Sequence, residues 1–375
     1  MIGYRSPTTG QKLTPDMPWS LASKSGERWP VVDTIPYLRA GSEPLAAAAL
    51  ARLDAGDGDG ALRLLLTEND RWWDGPPPGR DALDRLLLER DNLSLREAMD
   101  LLGYGRVGIY FAHRWSDPTF IAGLALLDAH WNESHVAFEL ACGIGHYLRE
   151  LGRAGVQTVG ADIVFSKLWL ARHWVAGPAP ILVCMDADAP WPIVLRADLA
   201  FCHDAFYFLQ HKRAVAQRLQ SVAPDGLVLL SHVHNRDWPN LSGGEAMTRS
   251  ALLDLFPSAQ LYADEVLTAA ALWGAAPSPD EALTGTEAFG VATGPALQRA
   301  RPARGPLSRP APGTKLRRNP LCNADRIDWP SDRYRAEYGG RVTYRSGFVP
   351  EQAVMGPVWH EEAARRELID LPERW

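Results

Sequence analysis

The chain has 375 residues, 46% of them hydrophobic, and a formal net charge of −6. An acidic chain gains no general electrostatic attraction to nucleic acid, and no apolar run approaches the ~20 residues that a membrane-spanning helix needs. The N-terminus lacks the apolar core of a secretion signal, and the four cysteines have no C-x-x-C spacing. We therefore expect a cytoplasmic protein with reduced thiols and no membrane partner, organised as one large domain with appendages or as two domains.

The first predicted unit, residues 1–40, contains the segments Tyr4–Leu13 and Leu21–Leu38. These segments resemble a small zinc-ribbon-like module related to activators of tRNA methyltransferases, which usually holds zinc with four thiolates. The corresponding positions lack a thiol here and are Ser6, Thr9, Ala22 and Ser25. Neutral hydroxyls do not replace thiolates on Zn²⁺, so the unit is predicted to be a degenerate, metal-free module. A simple β-hairpin cap is the alternative.

Residues 41–130 are predicted to form a helical cap or insert. An alanine-rich run, Leu45–Leu53, is followed by the glycine–aspartate run Asp54–Gly60 and by the leucine-rich run Ala61–Leu66. The middle run lacks the closing Glu of a calcium-binding loop, so it predicts a tight turn between antiparallel helices.

Residues 131–293 carry the strongest functional signal. The apolar run Val136–Leu140 contains an acid, Glu139, and leads into a small-residue turn at Gly143 and Gly145. An apolar run bounded by glycines is typical of a buried parallel strand. The glycines allow positive φ angles and let a ligand approach the backbone closely. This segment therefore predicts a ligand site at the end of a strand.

A second strand follows at Thr158–Asp162 and ends in an acid placed to hold ribose hydroxyls, which makes the expected ligand a nucleoside. A dinucleotide is the rival ligand. Its G-x-G-x-x-G fingerprint needs a third glycine where this chain has Leu148. A carboxylate at Glu139 would also repel a pyrophosphate, whereas it suits a cationic amino acid group.

The turn resembles the first motif of the class I methyltransferases, acid-x-G-x-G-x-G, with Ala141 in place of the first glycine. Three later segments resemble the following strands of that family in the same order: 181–192, 197–209 and 222–231. Four segments in order are more specific than one motif. The resemblance implies an α/β fold, a Rossmann-like class I methyltransferase sheet with helices on both faces. It also implies S-adenosyl-L-methionine as cofactor, with S-adenosyl-L-homocysteine as product.

The resemblance implies a set of cofactor contacts as well. Glu139 would face the amino acid end of the cofactor, Asp162 the ribose and Asp186 the adenine amino group. The aromatic segment 106–118 often folds over the cofactor in this family, and packing on the sheet is an equal alternative. The predicted cofactor-binding residues are Glu139, Ala141, Gly143, Gly145, His146, Asp162, Ile163, Asp186, Ala187, His203, Tyr110 and Arg114.

Histidines cluster near the ends of two predicted strands. His203 and Asp204 follow the fourth strand, and His232 and His234 follow the fifth. Histidine titrates near neutrality and can accept a proton as methyl transfer proceeds. The predicted base is His234, then His203 or His232, with Asp204 as an orienting carboxylate or as the base itself. A two-His-one-carboxylate metal site is the alternative for His232, His234 and Asp204, but no metal is predicted.

Two late strands are predicted at Gln260–Leu267 and Glu287–Thr293. Residues 294–318 have the composition of a Pro- and Arg-rich linker without apolar periodicity. Residues 319–375 are predicted to be an irregular extension whose aromatic side chains pack on the core, because so much aromatic surface is rarely left in water.

These observations predict a methyltransferase that modifies O or N of a small-molecule acceptor, for example a natural product. An RNA- or protein-directed methyltransferase is one alternative. A protein of the same fold that binds the cofactor without transferring methyl is another. Nucleic acid is disfavoured as a partner by the acidic charge, and the oligomeric state is left open.

Overall fold

A computed structural model of the protein describes residues 2–69, 75–131, 133–239, 243–280, 283 and 285–375. In chain order, its strands are β1 (Gly3–Arg5), β2 (Lys12–Met17), β3 (Ser20–Ala22), β4 (Arg28–Val32), β5 (Ile35–Pro36), β6 (Val136–Leu140), β7 (Gln157–Asp162), β8 (Ile181–Cys184), β9 (Ile193–Val194), β10 (Leu199–His203), β11 (Leu227–His234), β12 (Gln260–Ala263), β13 (Ala288–Thr293), β14 (Lys315–Arg318), β15 (Gln352–Val354) and β16 (Leu368–Ile369). Its α-helices are α1 (Glu43–Asp54), α2 (Gly58–Leu66), α3 (Arg80–Glu89), α4 (Leu95–Leu101), α5 (Gly105–His113), α6 (Pro118–His130), α7 (His146–Arg153), α8 (Phe165–Leu170), α9 (Lys212–Val222), α10 (Arg249–Leu255), α11 (Asp264–Trp273), α12 (Asp332–Tyr338) and α13 (His360–Ala364). Within the ranges described, none of the helices has both the length and the apolar character needed to span a membrane.

A seven-stranded sheet forms the centre of the molecule, in the order β12-β13-β11-β10-β6-β7-β8. Strands β6, β7, β8, β10 and β11 are parallel, whereas β13 runs antiparallel to both of its neighbours. Every residue of β10, β11 and β13 is buried, as expected for strands covered by helices on both faces. The predicted Rossmann-like α/β fold is therefore confirmed. Ligands of such a sheet bind beyond the carboxyl ends of its parallel strands.

One edge of this sheet differs from the prediction. The strand predicted at Gln260–Leu267 ends at Ala263, and α11 begins at Asp264. Asp264 and Glu265 occupy the first turn of this helix, where acidic side chains are stabilised by the helix dipole. The apolar residues beyond them therefore belong to a helix and not to the strand.

The N-terminal residues form a second sheet, in the order β5-β4-β3-β2-β1-β9. Strand β9 lies between the core strands β8 and β10 in the chain. Its pairing with β1 therefore joins the N-terminal sheet to the central domain by hydrogen bonds. Gly3 and Tyr4 pair with Val194 and Ile193 in antiparallel register. At the other end of the sheet, the residue after Tyr37 donates its amide to the carbonyl of Cys184, at the end of β8, over 2.8 Å. Backbone bonds therefore tie both ends of the N-terminal segment to the central domain.

A carboxylate holds the loops at two of the positions where thiolates are replaced. The hydroxyls of Ser6, Thr8 and Thr9 donate to Glu27 over 2.8, 2.6 and 2.9 Å, and the indole of Trp29 donates to it over 3.1 Å. Burial opposes ionisation of this carboxyl, but the hydroxyl hydrogen bonds outweigh burial and lower the pKa of Glu27. The loop around Ser6 is thus closed by hydrogen bonds to an anion.

Helix α6 is buried along its whole length and binds the predicted linker, residues 294–318, that follows the core. Asp117 caps its N-terminus by accepting from the Phe120 amide over 3.4 Å. Near its other end, Asp128 accepts from the amides of Leu307 and Ser308 over 3.2 and 2.7 Å. The predicted linker is therefore fixed to the core at this point.

The C-terminal extension packs against the helical cap. Its small sheet has the order β15-β14-β16. Ser116 donates to the Asn319 side chain over 3.0 Å, and the Asn319 amide donates to the Arg366 carbonyl over 2.7 Å. The indole of Trp375 donates to the Ala112 carbonyl over 2.7 Å. These contacts fix the extension to α5 and to the turn before α6.

His130 joins the end of α6 to the edge strand β12. Its Nε2 lies 2.9 Å from the hydroxyl of Tyr262. Burial, together with the positive charge of Arg301, lowers the pKa of His130 to about 4. In the unfolded chain a histidine has a pKa of about 6.5. The unfolded state therefore binds more protons between these values, and stability falls as the pH drops from about 6.5 towards 4.

We expect His130→Gln to reduce this acid sensitivity by up to about 1.4 kcal/mol per pH unit, the contribution of one proton. Urea unfolding at pH 7, 6 and 5 measures it. The variant should lose less stability on acidification than the wild-type protein, whereas His360→Gln, at an exposed position, should behave as wild type. An unchanged pH slope in His130→Gln would show that the buried imidazole is not held neutral.

Candidate functional site

A cavity of about 730 Å³ lies at the carboxyl end of the parallel strands. Its walls come from the turn after β6, the ends of β7 and β10, the loop after β8, helix α5 and helix α12. This volume lies in the range of about 300–1,000 Å³ that is typical of small-molecule sites. The position is the one that the topology of an open α/β sheet predicts for a ligand.

Most of the residues predicted to bind the cofactor line this cavity. They are Glu139, Ala141, Gly143, His146, Asp162, Ile163, Asp186, Ala187, His203, Tyr110 and Arg114. Gly145 is absent from the described lining. Its φ is 82°, and a Cβ at this position would point at the Cβ atoms of Ala171 and Ala176, 3.0 and 3.3 Å away. Gly145 therefore allows close packing of the turn, and its role in binding the cofactor stays a prediction.

The backbone of the turn explains its preference for small residues. Ala141 and Gly143 both have a φ of 55°, a left-handed conformation that costs a non-glycine residue about 1 kcal/mol or more. The amide of Gly143 donates to Asp162 over 2.9 Å. A Cβ on Gly143 would meet the ring of Phe111 at 3.4 Å. The turn is thus held in one shape between β7 and α5.

The two acids at the strand ends are fixed by backbone amides. Asp162 accepts from Gly143 through one oxygen and from Val164 through the other, the latter over 3.0 Å. Asp186 accepts from the amide of Asp188 over 2.8 Å. Both carboxylates border the cavity on the side of the turn. Their orientation is therefore set before any ligand binds.

Glu139 is a buried acid in the cavity wall, only 3% exposed. Its Oε2 has no hydrogen-bond partner among the described residues. Burial raises the pKa of this carboxyl well above its usual value, although the charge of Arg114 opposes the shift. A buried polar atom without a partner is unfavourable, so a cationic or donor group from a ligand would be stabilised here.

Asp204, which follows β10, also lines the cavity, in a left-handed backbone conformation with a φ of 49°. One oxygen accepts from Tyr110 and from Arg114, the latter over 3.0 Å, and the other accepts from Tyr207 over 2.6 Å. Burial opposes ionisation, but the charges of His232 and Arg114 outweigh it and lower the pKa of Asp204 to about 2. Asp204 is therefore an anion that positions two tyrosines and an arginine.

His203 also lines the cavity, and its tautomer follows from its neighbours. The hydroxyl of Tyr147 donates to the Phe120 carbonyl over 3.1 Å, so its oxygen accepts from Nδ1–H of His203, also over 3.1 Å. The Nε2 atom of His203 then carries a lone pair, and it has no partner within the described part of the chain. Burial, aided by the charge of Arg114, lowers the pKa of His203 well below its ordinary value. His203 is thus a neutral imidazole in the cavity wall.

His146 lines the cavity, but one of its ring nitrogens is engaged elsewhere. Its Nε2 donates to the carbonyl of Phe111 over 3.0 Å, and its ring lies 4.3 Å from that of Trp115. Burial and the charge of Arg114 lower its pKa to about 3. These contacts indicate that His146 supports α5 as well as the cavity wall.

His232 and His234 lie behind the wall, outside the described cavity lining. The Tyr207 ring stacks on His234 with 4.1 Å between centroids, and Tyr207 itself lines the cavity. Nε2 of His234 lies 3.1 Å from Nε2 of His232, whose Nδ1 bonds to Asp264. Burial opposes protonation of His232, but Asp264 and Asp204 raise its pKa to about 9. His234 is the last residue of β11, so the expectation that it follows the strand is corrected, and its role as the base stays a prediction.

Several lining residues were not identified from the sequence. Helix α12 contributes Tyr334, Tyr338 and Arg333, and the segment after β5 contributes Arg39. The guanidinium of Arg39 donates to the Ile163 carbonyl over 3.2 Å. The density of aromatic residues after residue 319 was the available signal for α12. No sequence pattern marked Arg39.

Residues 138–230 match the family model described as “Methyltransferase domain”. This segment runs from β6 to β11 and includes the turn after β6 and the ends of β7 and β10. No curated protein sequence matches the chain. The matched segment, in a chain of this fold, confirms the predicted methyltransferase that depends on S-adenosylmethionine.

Solved structures with a similar fold include three methyltransferases. The TehB-like S-adenosylmethionine-dependent methyltransferase of Corynebacterium glutamicum is 16% identical, with a TM-score of 0.38, over 51% of this chain and 96% of its own. Magnesium protoporphyrin IX methyltransferase of Synechocystis is 16% identical, with a TM-score of 0.33, and the match covers 40% of this chain and 83% of that protein. Phosphoethanolamine N-methyltransferase 2 of Haemonchus contortus is 20% identical, with a TM-score of 0.34, and the match covers 45% of this chain and 46% of that protein. The named substrates of these proteins differ, and none is carried over to this chain.

Proposed function

We propose that the protein transfers a methyl group from S-adenosylmethionine to an oxygen or nitrogen atom of a small-molecule acceptor. The observation that carries this proposal is the continuous cavity that joins the turn after β6 to Asp204 and to the tyrosines of α12. One end would hold the cofactor and the other the acceptor. Group transfer requires that the two reactants be held in contact and in line.

Three acids support the placement of the cofactor. Oε2 of Glu139, which has no partner among the described residues, suits the cationic amino acid end, because a positive charge beside it favours the ionised form. Asp162 and Asp186 line the neighbouring wall, where they would accept from the ribose hydroxyls and from the adenine amino group. The three carboxylates then match the three polar parts of the ligand.

The lining of the other end supports a small acceptor. Tyr110 and Tyr207 bond to Asp204 there, and Tyr334 and Tyr338 of α12 also line the cavity. The aromatic walls favour an acceptor with a flat apolar group or a cationic group.

When bound, the cofactor supplies a methyl group already activated on a sulfonium, so the protein contributes alignment and removal of a proton. His203 supports the second role, because its Nδ1–H donates to Tyr147 and its buried Nε2 lone pair has no partner among the described residues. Asp204 holds Tyr110 and Arg114 around the acceptor. Among the histidines we rank His203 ahead of His234 and His232, which Tyr207 separates from the cavity.

The acceptor can be sought directly. We expect the protein, given S-adenosylmethionine and an extract of its host divided by size, to form S-adenosylhomocysteine with the small-molecule fraction. Mass spectrometry of that fraction identifies the methylated product. Gly143→Val, whose side chain would enter the cavity towards Phe111, is the inactive control. Turnover only with the RNA or protein fraction would contradict the proposed acceptor class, and no turnover with any fraction would favour a non-methylating role.

Glu139→Gln tests the cofactor end. Binding of a cationic group should ionise Glu139, whose pKa is raised in the free protein, and so release a proton. We expect titration calorimetry of S-adenosylhomocysteine in buffers of different ionisation enthalpy to show this proton for the wild-type protein and not for the variant. The variant should bind about 10- to 100-fold more weakly, the scale of a lost hydrogen bond to a charged group.

Glu337→Gln is the matched control, because Glu337 lies on α12 at the acceptor end. Its affinity for S-adenosylhomocysteine should equal that of the wild-type protein. Wild-type affinity in Glu139→Gln, with an unchanged proton count, would remove Glu139 from the cofactor site.

His203→Gln tests the proposed base. We expect turnover to fall by about 10²- to 10⁴-fold, the usual contribution of a general base, while the affinity for S-adenosylhomocysteine changes little. Tyr147→Phe should give a smaller loss, because it removes only the acceptor of the Nδ1 proton. Turnover in His203→Gln equal to that of the exposed variant His360→Gln would leave alignment alone as the source of catalysis.

A further inference from the structure

We propose that Asp204, His232 and His234 form a binding site for one divalent transition-metal ion such as Zn²⁺. The three side chains come from the ends of the neighbouring strands β10 and β11. Both histidines are buried, at 2% and 3% exposure, and the ligand atoms of all three residues converge within 4.8 Å of one another. This site replaces our expectation from the sequence that the protein holds no metal.

The spacing of the three ligand atoms fits such an ion. The two Nε2 atoms lie 3.1 Å apart, and Oδ1 of Asp204 lies 3.9 Å from Nε2 of His232 and 4.0 Å from Nε2 of His234. A point equidistant from these atoms is about 2.2 Å from each, close to the ~2.0–2.2 Å of Zn–N and Zn–O bonds. Two imidazole nitrogens that face each other at 3.1 Å need a cation or a shared proton between them.

The surroundings of His232 supply the tautomer that a metal needs. Nδ1 of His232 bonds to the buried carboxylate of Asp264. With a proton on Nδ1, the lone pair of Nε2 points to His234 and Asp204. A carboxylate that orients a histidine in this way is the usual outer partner of a metal-ligating imidazole.

The backbone at two of the ligands is strained. Asp204 and His232 have φ angles of 49° and 54°, and the pairing of β11 with β13 shifts its register between Leu230 and Val233. Such outliers cost about 1–3 kcal/mol each and persist where the structure holds them for a reason. His232 lies within this register shift.

The charges and donor types indicate the class of ion. Asp204 and Asp264 place two carboxylates around the site, whereas Arg114 is the cation bonded to Asp204. Two imidazoles with one carboxylate suit Zn²⁺ and the neighbouring first-row ions. Because Tyr207 stacks on His234 and bonds to Asp204, it lies between the ion and the cavity. The ion would therefore position Asp204 and Tyr207 instead of contacting the acceptor.

Metal binding to the full chain tests the proposal. Protein freed of metal with a chelator is dialysed against Zn²⁺, and the bound zinc is measured by elemental analysis and by calorimetry. We expect one equivalent in the wild-type protein. His232→Gln and His234→Gln should each weaken its affinity at least ~100-fold, and Asp264→Asn should weaken it about 10- to 100-fold as an outer partner. His360→Gln and Glu27→Gln, which lie outside the site, should bind as the wild-type protein does.

The same titration defines failure. Less than one equivalent in the wild-type protein, or equal affinity in folded His232→Gln and His234→Gln, would overturn the site and leave a proton between the two imidazoles. If a variant does not fold, as judged by circular dichroism, the wild-type protein still decides. The imidazole ¹⁵N resonances of His232 and His234 should shift on addition of Zn²⁺, and unshifted resonances would overturn the proposal.

The metal site does not rest on methyl transfer. Zinc binding is measured without cofactor or acceptor, so its failure leaves the proposed function intact. Conversely, a protein that binds zinc but forms no S-adenosylhomocysteine would refute the proposed function alone.

Discussion

The shape of the cavity depends on one buried ion pair, between Arg114 at the end of α5 and Asp204 at the end of β10. Their side chains are 5% and 12% exposed and lie 3.0 Å apart. A buried pair of charges is tolerable only when further hydrogen bonds satisfy it, and Tyr110 and Tyr207 supply them. Loss of either partner would leave an uncompensated charge, at a cost of about 3–5 kcal/mol. The pair therefore fixes the helical cap against the sheet and sets the distance between the two walls of the cavity.

The strands of the core could be predicted because burial on both faces leaves a strong pattern. The apolar run Val136–Leu140 and the run that forms β11 are both delimited by small or polar residues, and their order determines the sheet. The point at which a strand ends and a helix begins was harder to predict. Asp264 starts a helix where the sequence analysis predicted strand as far as Leu267, because an acid is stabilised at a helix N-terminus. The pairing of β1 with β9 left no signal, because β9 has only two residues.

In the site, prediction succeeded where the position along a strand decides the outcome. Glu139 and Asp162 line the cavity because topology places them at the same edge of the sheet. It failed where the direction of a side chain depends on the backbone. Alternation places His232 and His234 on one face, but the register shift in β11 and the stacked ring of Tyr207 put both behind the wall. The packing role of Gly145 left no signal in the sequence, since only the fold shows that its missing Cβ leaves room for Ala171.

In the N-terminal sheet, a carboxylate closes the loop that contains Ser6. Hydroxyls of Ser6, Thr8 and Thr9 converge on Glu27, and neither an oxidant nor a chelator attacks hydrogen bonds of this kind. Their weakness is acid, because protonation of Glu27 removes the charge that attracts the donors. Since β1 pairs with β9, loosening of this loop would reach the segment that follows β8. The N-terminal sheet is therefore insensitive at this loop to oxidants and chelators but sensitive to pH, and it would transmit that sensitivity to the central domain.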